Sequence, residues 1–230
     1  SLLTYWFKTE HPNGFQYYFA QRESVESVIY LYENQKIRNP SELLKYDSSG
    51  VLVDSMFEES WLRLVLKQAT GTGKTKVLSL LIAWCYFHKE FNKNSELSKN
   101  FLLLAPNTIV LDRLKDDIEG LSVFNNDPII PPNQYDGRNW NFYPKVHIQD
   151  NIGTLSKNGN IFLTNIQRFV TRSEQNEQDN SIDYFLGDNP VKKTTDNKIL
   201  VRDIVNNIDD IIVLNDEAHH IHDKKLAWFK

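Results

Sequence analysis

The stretch "LKQATGTGKTKVL", residues 66–78, decides the fold because it carries the residue types of a phosphate-binding loop. The general pattern has glycine, four residues and then Gly-Lys-Ser/Thr. Here Gln68 replaces the first glycine, and Gly73, Lys74 and Thr75 follow at the expected spacing. Backbone N–H groups, a lysine and a hydroxyl can hold phosphates and Mg²⁺. The alternative is a plain glycine-rich turn with a solvated lysine. The predicted nucleotide loop comprises Ala69, Thr70, Gly71, Thr72, Gly73, Lys74 and Thr75.

Strand and helix patterns alternate around this loop. Residues 61–68 alternate in polarity and run into small residues, which predicts a strand, and residues 74–88 have apolar positions at the helical period. Apolar runs at residues 101–106, 161–165 and 210–220 predict three further strands buried on both faces. The sequence therefore predicts an α/β fold with a mostly parallel sheet flanked by helices on both faces.

Composition excludes some classes of protein. The net charge of the 230 residues is only −4, so the overall balance indicates neither a nucleic-acid nor a membrane partner. No apolar run reaches the roughly 18 residues of a membrane-spanning helix. The single cysteine, Cys85, excludes an internal disulfide and favours a reducing, cytoplasmic compartment. The chain begins with Ser1 rather than Met, and we expect it to be a fragment.

An acidic pair follows the last predicted strand. Asp216 lies where a carboxylate at the carboxyl edge of a parallel sheet can reach Mg²⁺, and Glu217 beside it is a candidate for polarising water. The histidines and the carboxylate that follow have two possible interpretations, a transition-metal site or ordinary surface residues. They include His219, His220, His222 and Asp223.

With both motifs in place, the chain resembles the first RecA-like motor domain of superfamily-two helicases and translocases, specifically the DEAH-box type of type III restriction enzyme Res subunits. Residues 69–75 resemble motif I, and residues 216–219, Asp-Glu-Ala-His, resemble motif II. Residues 102–114 and 161–169 are similar to motifs Ia and Ib, and residues 17–33 to the family's glutamine-bearing helix. In this family glutamine is accepted before the loop.

The resemblance implies a role for each motif residue, with ATP and Mg²⁺ as cofactors. Lys74 would hold the outer phosphates and act in catalysis, while Thr75 and Asp216 would hold Mg²⁺. Glu217 would orient the attacking water, and His219 would couple the site to nucleic acid.

The same resemblance implies contacts with the base and with nucleic acid. Gln21 would contact adenine, with Phe15 or Phe19 near its face; the alternative is that Gln21 only caps or decorates its helix. Short polar side chains and backbone amides suit phosphate contacts without base readout, and ordinary loop packing is the alternative. The implied nucleic-acid residues are Ala105, Pro106, Asn107, Thr164, Asn165 and Gln167.

By this resemblance, residues 1–58 form a helical lead-in and residues 59–230 the first RecA-like domain, which ends after motif II. Without a second domain and its arginine, we expect the chain to bind ATP–Mg²⁺ but to hydrolyse it poorly. The predicted function is that of an ATP-dependent helicase or translocase acting on double-stranded DNA, the Res subunit of a type III restriction system with a modification methyltransferase as partner. The alternatives are an RNA helicase or other defence ATPase without a nuclease, and an ATP-gated binding module without enzymatic activity.

Overall fold

The computed structural model describes residues 1–51, 53–54, 62–149, 151–165 and 208–216. The chain divides into two compact units. The first unit comprises Ser1–Glu96 and Gly120–Phe142, and the second comprises Leu97–Glu119 and Tyr143–Lys230. Neither unit ends near residue 58, and the domain boundary predicted there stays a prediction.

The α-helices of the described residues are α1 (Leu2–Lys8), α2 (Phe19–Ile29), α3 (Lys74–Phe91), α4 (Thr108–Ile118) and α5 (Ser122–Asn126). All except α4 belong to the first unit. Helix α3 confirms the prediction for residues 74–88. Its side chains are buried almost all round from Ser79 to Phe87, as expected of a helix at the centre of a core. Helix α2 packs against α3.

Residues 62–68 do not form the strand that their alternation predicts. These residues have no regular secondary structure, and Val65 and Leu66 are exposed. A strand needs a neighbour whose N–H and C=O groups complete the ladder, and no described residue pairs with this segment. An alternating pattern supplies a buried face but not that neighbour, which is why the prediction was wrong.

The second unit contains a parallel four-stranded sheet of β1 (Asn100–Ala105), β2 (Lys145–Ile148), β3 (Asn160–Asn165) and β4 (Ile212–Asn215), in the order β2-β3-β1-β4. Helix α4 packs against β1 and β3. Residues 101–105 and all of β3 are buried, as the continuous apolar runs predicted. Strand β4 is only partly buried and Val213 is exposed, so the prediction that this strand is covered on both faces was wrong. The α/β fold class and three of the four predicted strands are confirmed, and β2 was not predicted.

A buried polar network joins the amino ends of the strands. Asn160, paired in register with Asn100, donates from Nδ2 to Asn100 Oδ1 at 2.9 Å and to the Ser156 carbonyl at 3.0 Å. Its Oδ1 accepts from Ser156 N at 2.8 Å and contacts His147 Nε2 at 3.1 Å. Asn100 Nδ2 reaches the carbonyl of Asp210, just before β4, at 3.3 Å. The network therefore ties together three strands and the approach to the fourth.

Burial changes the pKa of two side chains, one in each unit. Desolvation lowers the pKa of His147, which stacks on Phe162. Cys85 is free and buried, and burial raises the pKa of its thiol. Within the described ranges, no helix combines the length and apolarity needed to cross a membrane.

Candidate nucleotide and metal site

The predicted phosphate loop forms a tight turn that runs directly into α3. Gly71 and Gly73 have φ angles of 82° and 79°, in the left-handed region that favours glycine. The Thr72 hydroxyl donates to the Ala69 carbonyl at 2.8 Å and closes the turn. Gly73 is the N-cap of α3, and no side chain caps the helix there. The loop therefore leads into the N-terminus of an 18-residue helix, where free backbone N–H groups and the positive end of the helix dipole lie together.

Two glutamines bind the loop and α2 to each other. Gln21 Nε2 donates to the Thr72 carbonyl at 2.9 Å, and Gln21 Oε1 accepts from the backbone N–H of Tyr18 at 3.0 Å. In return, Gln68 Nε2 donates to the Ala20 carbonyl at 3.1 Å and to Ser24 Oγ at 2.6 Å. The glutamine that departs from the general loop pattern is thus an anchor, because a glycine at position 68 has no side chain to reach α2.

Gln21 is buried and lies against the backbone of the loop. Only 4 % of this residue is exposed, and both ends of its amide are hydrogen-bonded within the protein. Of the two aromatic residues predicted near adenine, Phe19 is exposed, whereas Phe15 lies in an aromatic cluster with Lys76 Nζ 5.4 Å from its ring centre. The contact of Gln21 with adenine stays a prediction.

Replacing Gly73 with alanine is expected to disturb the loop more than replacing Gly71. Both changes force a side chain into the left-handed region, at a cost of about 1–2 kcal/mol. At Gly73 the new Cβ also collides with Gln21 Nε2, whereas at Gly71 nothing lies within 4 Å. Thermal unfolding and ATP titration of the two matched variants measure the difference. Equal losses of melting temperature and ATP affinity in the two variants would contradict a close approach of Gln21 to Gly73.

The carboxyl ends of the strands hold the acidic residue of the second motif. Strand β1 lies between β3 and β4, and ligands of open parallel sheets bind at the carboxyl ends of the strands. Asp216 directly follows β4, and its backbone N–H donates to the Leu104 carbonyl at 3.2 Å. Only 2 % of the Asp216 side chain is exposed, and Arg113 of α4 pairs with it at 2.8 Å, Nη2 to Oδ2.

The carboxylate of Asp216 is of the ligand type that Mg²⁺ prefers, although Arg113 already pairs with it. Mg²⁺ prefers oxygen ligands and often takes only one or two carboxylates, with phosphates and waters completing its shell. Among the residues that the structure describes, no group of three or more His, Cys, Asp or Glu side chains forms a cage for a metal.

The residues predicted to touch nucleic acid cluster at the same ends of β1 and β3. Ala105 and Thr164 are fully buried and Asn165 nearly so, and no partner is found for Thr164 Oγ1. Pro106 is half-buried, and Asn107 is exposed with its Oδ1 accepting from Val110 N at 2.9 Å, as the N-cap of α4. Burial leaves backbone groups as the means by which Ala105 could make such a contact. The predicted nucleic-acid contacts stay predictions.

Several predicted residues lie outside the described ranges. They are Gln167, Glu217, His219, His220, His222 and Asp223. The roles predicted for Glu217 and His219, and the alternative of a histidine metal site, are therefore left as sequence-based expectations.

Sequence reasoning missed two contacts of the site. It assigned no role to Arg113, whereas the structure pairs Arg113 with Asp216. It also gave Gln68 no partner on α2. Both contacts join residues that are far apart in sequence, so no local pattern indicates them. The one available signal was the departure of Gln68 from the usual glycine.

The parallel sheet of the second unit and, in the first unit, the glycine-bearing turn at the start of α3 are both features of α/β nucleotide-binding proteins. The family model described as "Type III restriction enzyme, res subunit" matches residues 17–229. The chain belongs to this family. No curated protein and no solved structure matches the chain significantly. Membership implies ATPase and helicase-type activity with a nucleotide and a metal, and a link to restriction systems.

Proposed function

We propose that this chain is the ATP-binding motor domain of a DNA helicase or translocase, the Res subunit of a type III restriction system. The observation that carries the proposal is the uncapped N-terminus of α3, which follows the left-handed Gly71 and Gly73 and begins with Lys74. Backbone amides, a helix dipole and a lysine at one point form an anion site of the kind that binds phosphates. Family membership supports ATP as the anion.

The proposed chemistry assigns one task to each group. Lys74 would hold the outer phosphates of ATP, and Thr75, in the first turn of α3, would offer its hydroxyl to Mg²⁺. Asp216 would supply a carboxylate to Mg²⁺, and Glu217 would orient the water that attacks the terminal phosphate. The chemistry that Mg²⁺ would supply is neutralisation of charge on the phosphates. His219 couples the site to nucleic acid.

The proposed partners are double-stranded DNA and a modification methyltransferase. Backbone amides and short polar groups at the ends of β1 and β3 suit a strand held by its phosphates. The free, buried Cys85 is compatible with the proposed reducing, cytoplasmic setting. That the 230 residues alone hydrolyse ATP slowly remains a prediction, to be measured by phosphate release.

Calorimetric titration tests the nucleotide assignment. We expect ATP to bind with Mg²⁺, ATP with a chelator to bind more weakly, and GTP to bind poorly. The last expectation rests on the absence of the guanine-reading Asn-Lys-x-Asp pattern, since residues 197–200 read Asn-Lys-Ile-Leu. Absence of ATP binding in the presence of Mg²⁺ would refute the proposal.

Labelled duplexes test the nucleic-acid assignment. We expect the anisotropy of duplex DNA to rise with protein concentration and the affinity to fall with salt, because phosphate contacts release counterions. Tighter binding of RNA would favour the RNA helicase alternative. ATP hydrolysis that neither DNA nor RNA stimulates in the full-length protein would favour the binding module.

A further inference from the structure

The ion pair between Arg113 and Asp216 has consequences for the metal site. Asp216 is the carboxylate proposed to bind Mg²⁺, and it is almost fully buried. Arg113 is its cationic partner, and 57 % of the Arg113 side chain is exposed. Both residues belong to the second unit, on α4 and directly after β4.

A buried carboxylate needs a compensating positive charge. In the structure the guanidinium of Arg113 supplies it, through Nη2 to Oδ2. A divalent cation on Asp216 would supply it as well. The two cations compete, because they share one carboxylate and repel each other strongly where water screens little.

The nucleotide changes this balance. A bare divalent cation brings two positive charges towards Arg113, whereas ATP–Mg²⁺ carries a net negative charge. The repulsion from Arg113 therefore acts on the bare ion and is offset when phosphates accompany the metal. Arg113 can also withdraw at small cost, since most of its side chain is in solvent.

We propose that Arg113 is the resting counter-ion of Asp216 and keeps bare divalent cations off this carboxylate until nucleotide phosphates arrive. Arg113 is thus a regulatory residue of the site and not a group that touches the reacting atoms. The proposal rests on the proposed function, because it takes Asp216 as the ligand of a nucleotide-bound metal.

The test uses Mn²⁺ as a paramagnetic substitute for Mg²⁺, titrated into the full chain without nucleotide and followed by electron paramagnetic resonance. We expect Arg113→Gln to bind Mn²⁺ at least tenfold more tightly than the wild type. Arg113→Lys keeps the positive charge and should lie between the two. Asp216→Asn should remove the tight site in the Arg113→Gln background.

Lys115→Gln is the matched control. It also removes a positive charge from α4, but Lys115 pairs with Glu119, at 3.8 Å, and not with Asp216. We expect its Mn²⁺ affinity to equal that of the wild type. An equal gain in Lys115→Gln and Arg113→Gln would overturn the proposal, because it would show a general charge effect.

Thermal unfolding shows whether each variant is folded, so that a loss of folding is not mistaken for a loss of metal affinity. Without metal, Arg113→Gln should melt below the wild type, and the double variant with Asp216→Asn should recover much of the loss, since asparagine carries no charge for Arg113 to compensate. Mn²⁺ should raise the melting temperature of Arg113→Gln more than that of the wild type. An unchanged or weaker Mn²⁺ affinity in folded Arg113→Gln, or in Arg113→Lys if the glutamine variant does not fold, overturns the proposal.

The outcomes separate this inference from the proposed function. Wild-type protein that binds ATP–Mg²⁺ while Arg113→Gln gains no Mn²⁺ affinity would refute the counter-ion and leave the ATPase assignment standing. Protein that binds no ATP while Arg113→Gln gains Mn²⁺ affinity would refute the ATPase assignment and support the competition at Asp216.

Discussion

Replacing Lys74 with alanine is expected to weaken the binding of ATP–Mg²⁺ by about a hundredfold, since charge-assisted hydrogen bonds contribute about 1.5–3 kcal/mol. Lys74 is the first residue of α3, so its side chain begins where the helix dipole is positive. Alanine is the strongest helix former, and the substitution should therefore leave α3 in place and remove only the ammonium group. Isothermal titration calorimetry measures the loss.

Lys76→Ala is the control for this prediction. Lys76 lies in the same turn of α3, but it pairs with Asp127 of the first unit and lies over the ring of Phe15. Its removal should lower the melting temperature and leave the ATP affinity unchanged. If Lys74→Ala binds ATP as tightly as the wild type, Lys74 does not hold the phosphates. If both variants lose ATP affinity equally, the binding depends on the total positive charge near the loop and not on the ammonium group of Lys74.

The sequence predicted those parts of the fold whose signal is local. Helix α3 and strands β1 and β3 were predicted because burial imposes a periodicity or an apolar run on each segment. Strand β4 also has an apolar run, although its residues are only partly buried. The same reasoning failed for residues 62–68, where a strand depends on a partner elsewhere in the chain. It missed β2 because Lys145–Ile148 is only four residues long and buries a histidine, His147.

The candidate site shows the same division. The loop residues were predicted from residue types at a fixed spacing, and Asp216 from its position directly after an apolar strand. The hydrogen bonds of Gln68 to α2, and the ion pair of Arg113 with Asp216, span 44 to 103 residues. Such contacts arise only when the fold brings distant segments together. They show how the loop and the acidic residue are held, which the motifs alone do not indicate.

Asn160→Asp should be among the most destabilising single changes to the sheet, although it alters one atom type in a side chain of nearly the same shape. Asn160 is 3 % exposed, and its Nδ2 donates to Asn100 Oδ1 and to the Ser156 carbonyl. An aspartate oxygen cannot donate, so it would face two acceptors across hydrogen-bond distances. Each buried group left unsatisfied costs about 1–3 kcal/mol, and a buried charge adds to that cost.

A new ion pair with His147 offers little relief. In the wild type, Asn160 Oδ1 accepts from His147 Nε2, so the neutral ring carries its proton there. A positive ring would need a second proton on Nδ1, which is buried and has no hydrogen-bond partner among the residues that the structure describes. Desolvation moreover lowers the pKa of His147. His147 is therefore unfavourable as a protonated partner, which a carboxylate at position 160 would need for an ion pair.

Urea denaturation at neutral pH measures the effect, which we expect to be about 3–5 kcal/mol for Asn160→Asp. Asn160→Ala removes the same donors without adding a charge and should lose less. Asn158→Asp, in the exposed loop just before β3, makes the same chemical change in solvent and should stay within about 0.5 kcal/mol of the wild type. A small loss for Asn160→Asp would mean that the network between the strands can rearrange, because the register of β1 and β3 would then not depend on the amide at this position.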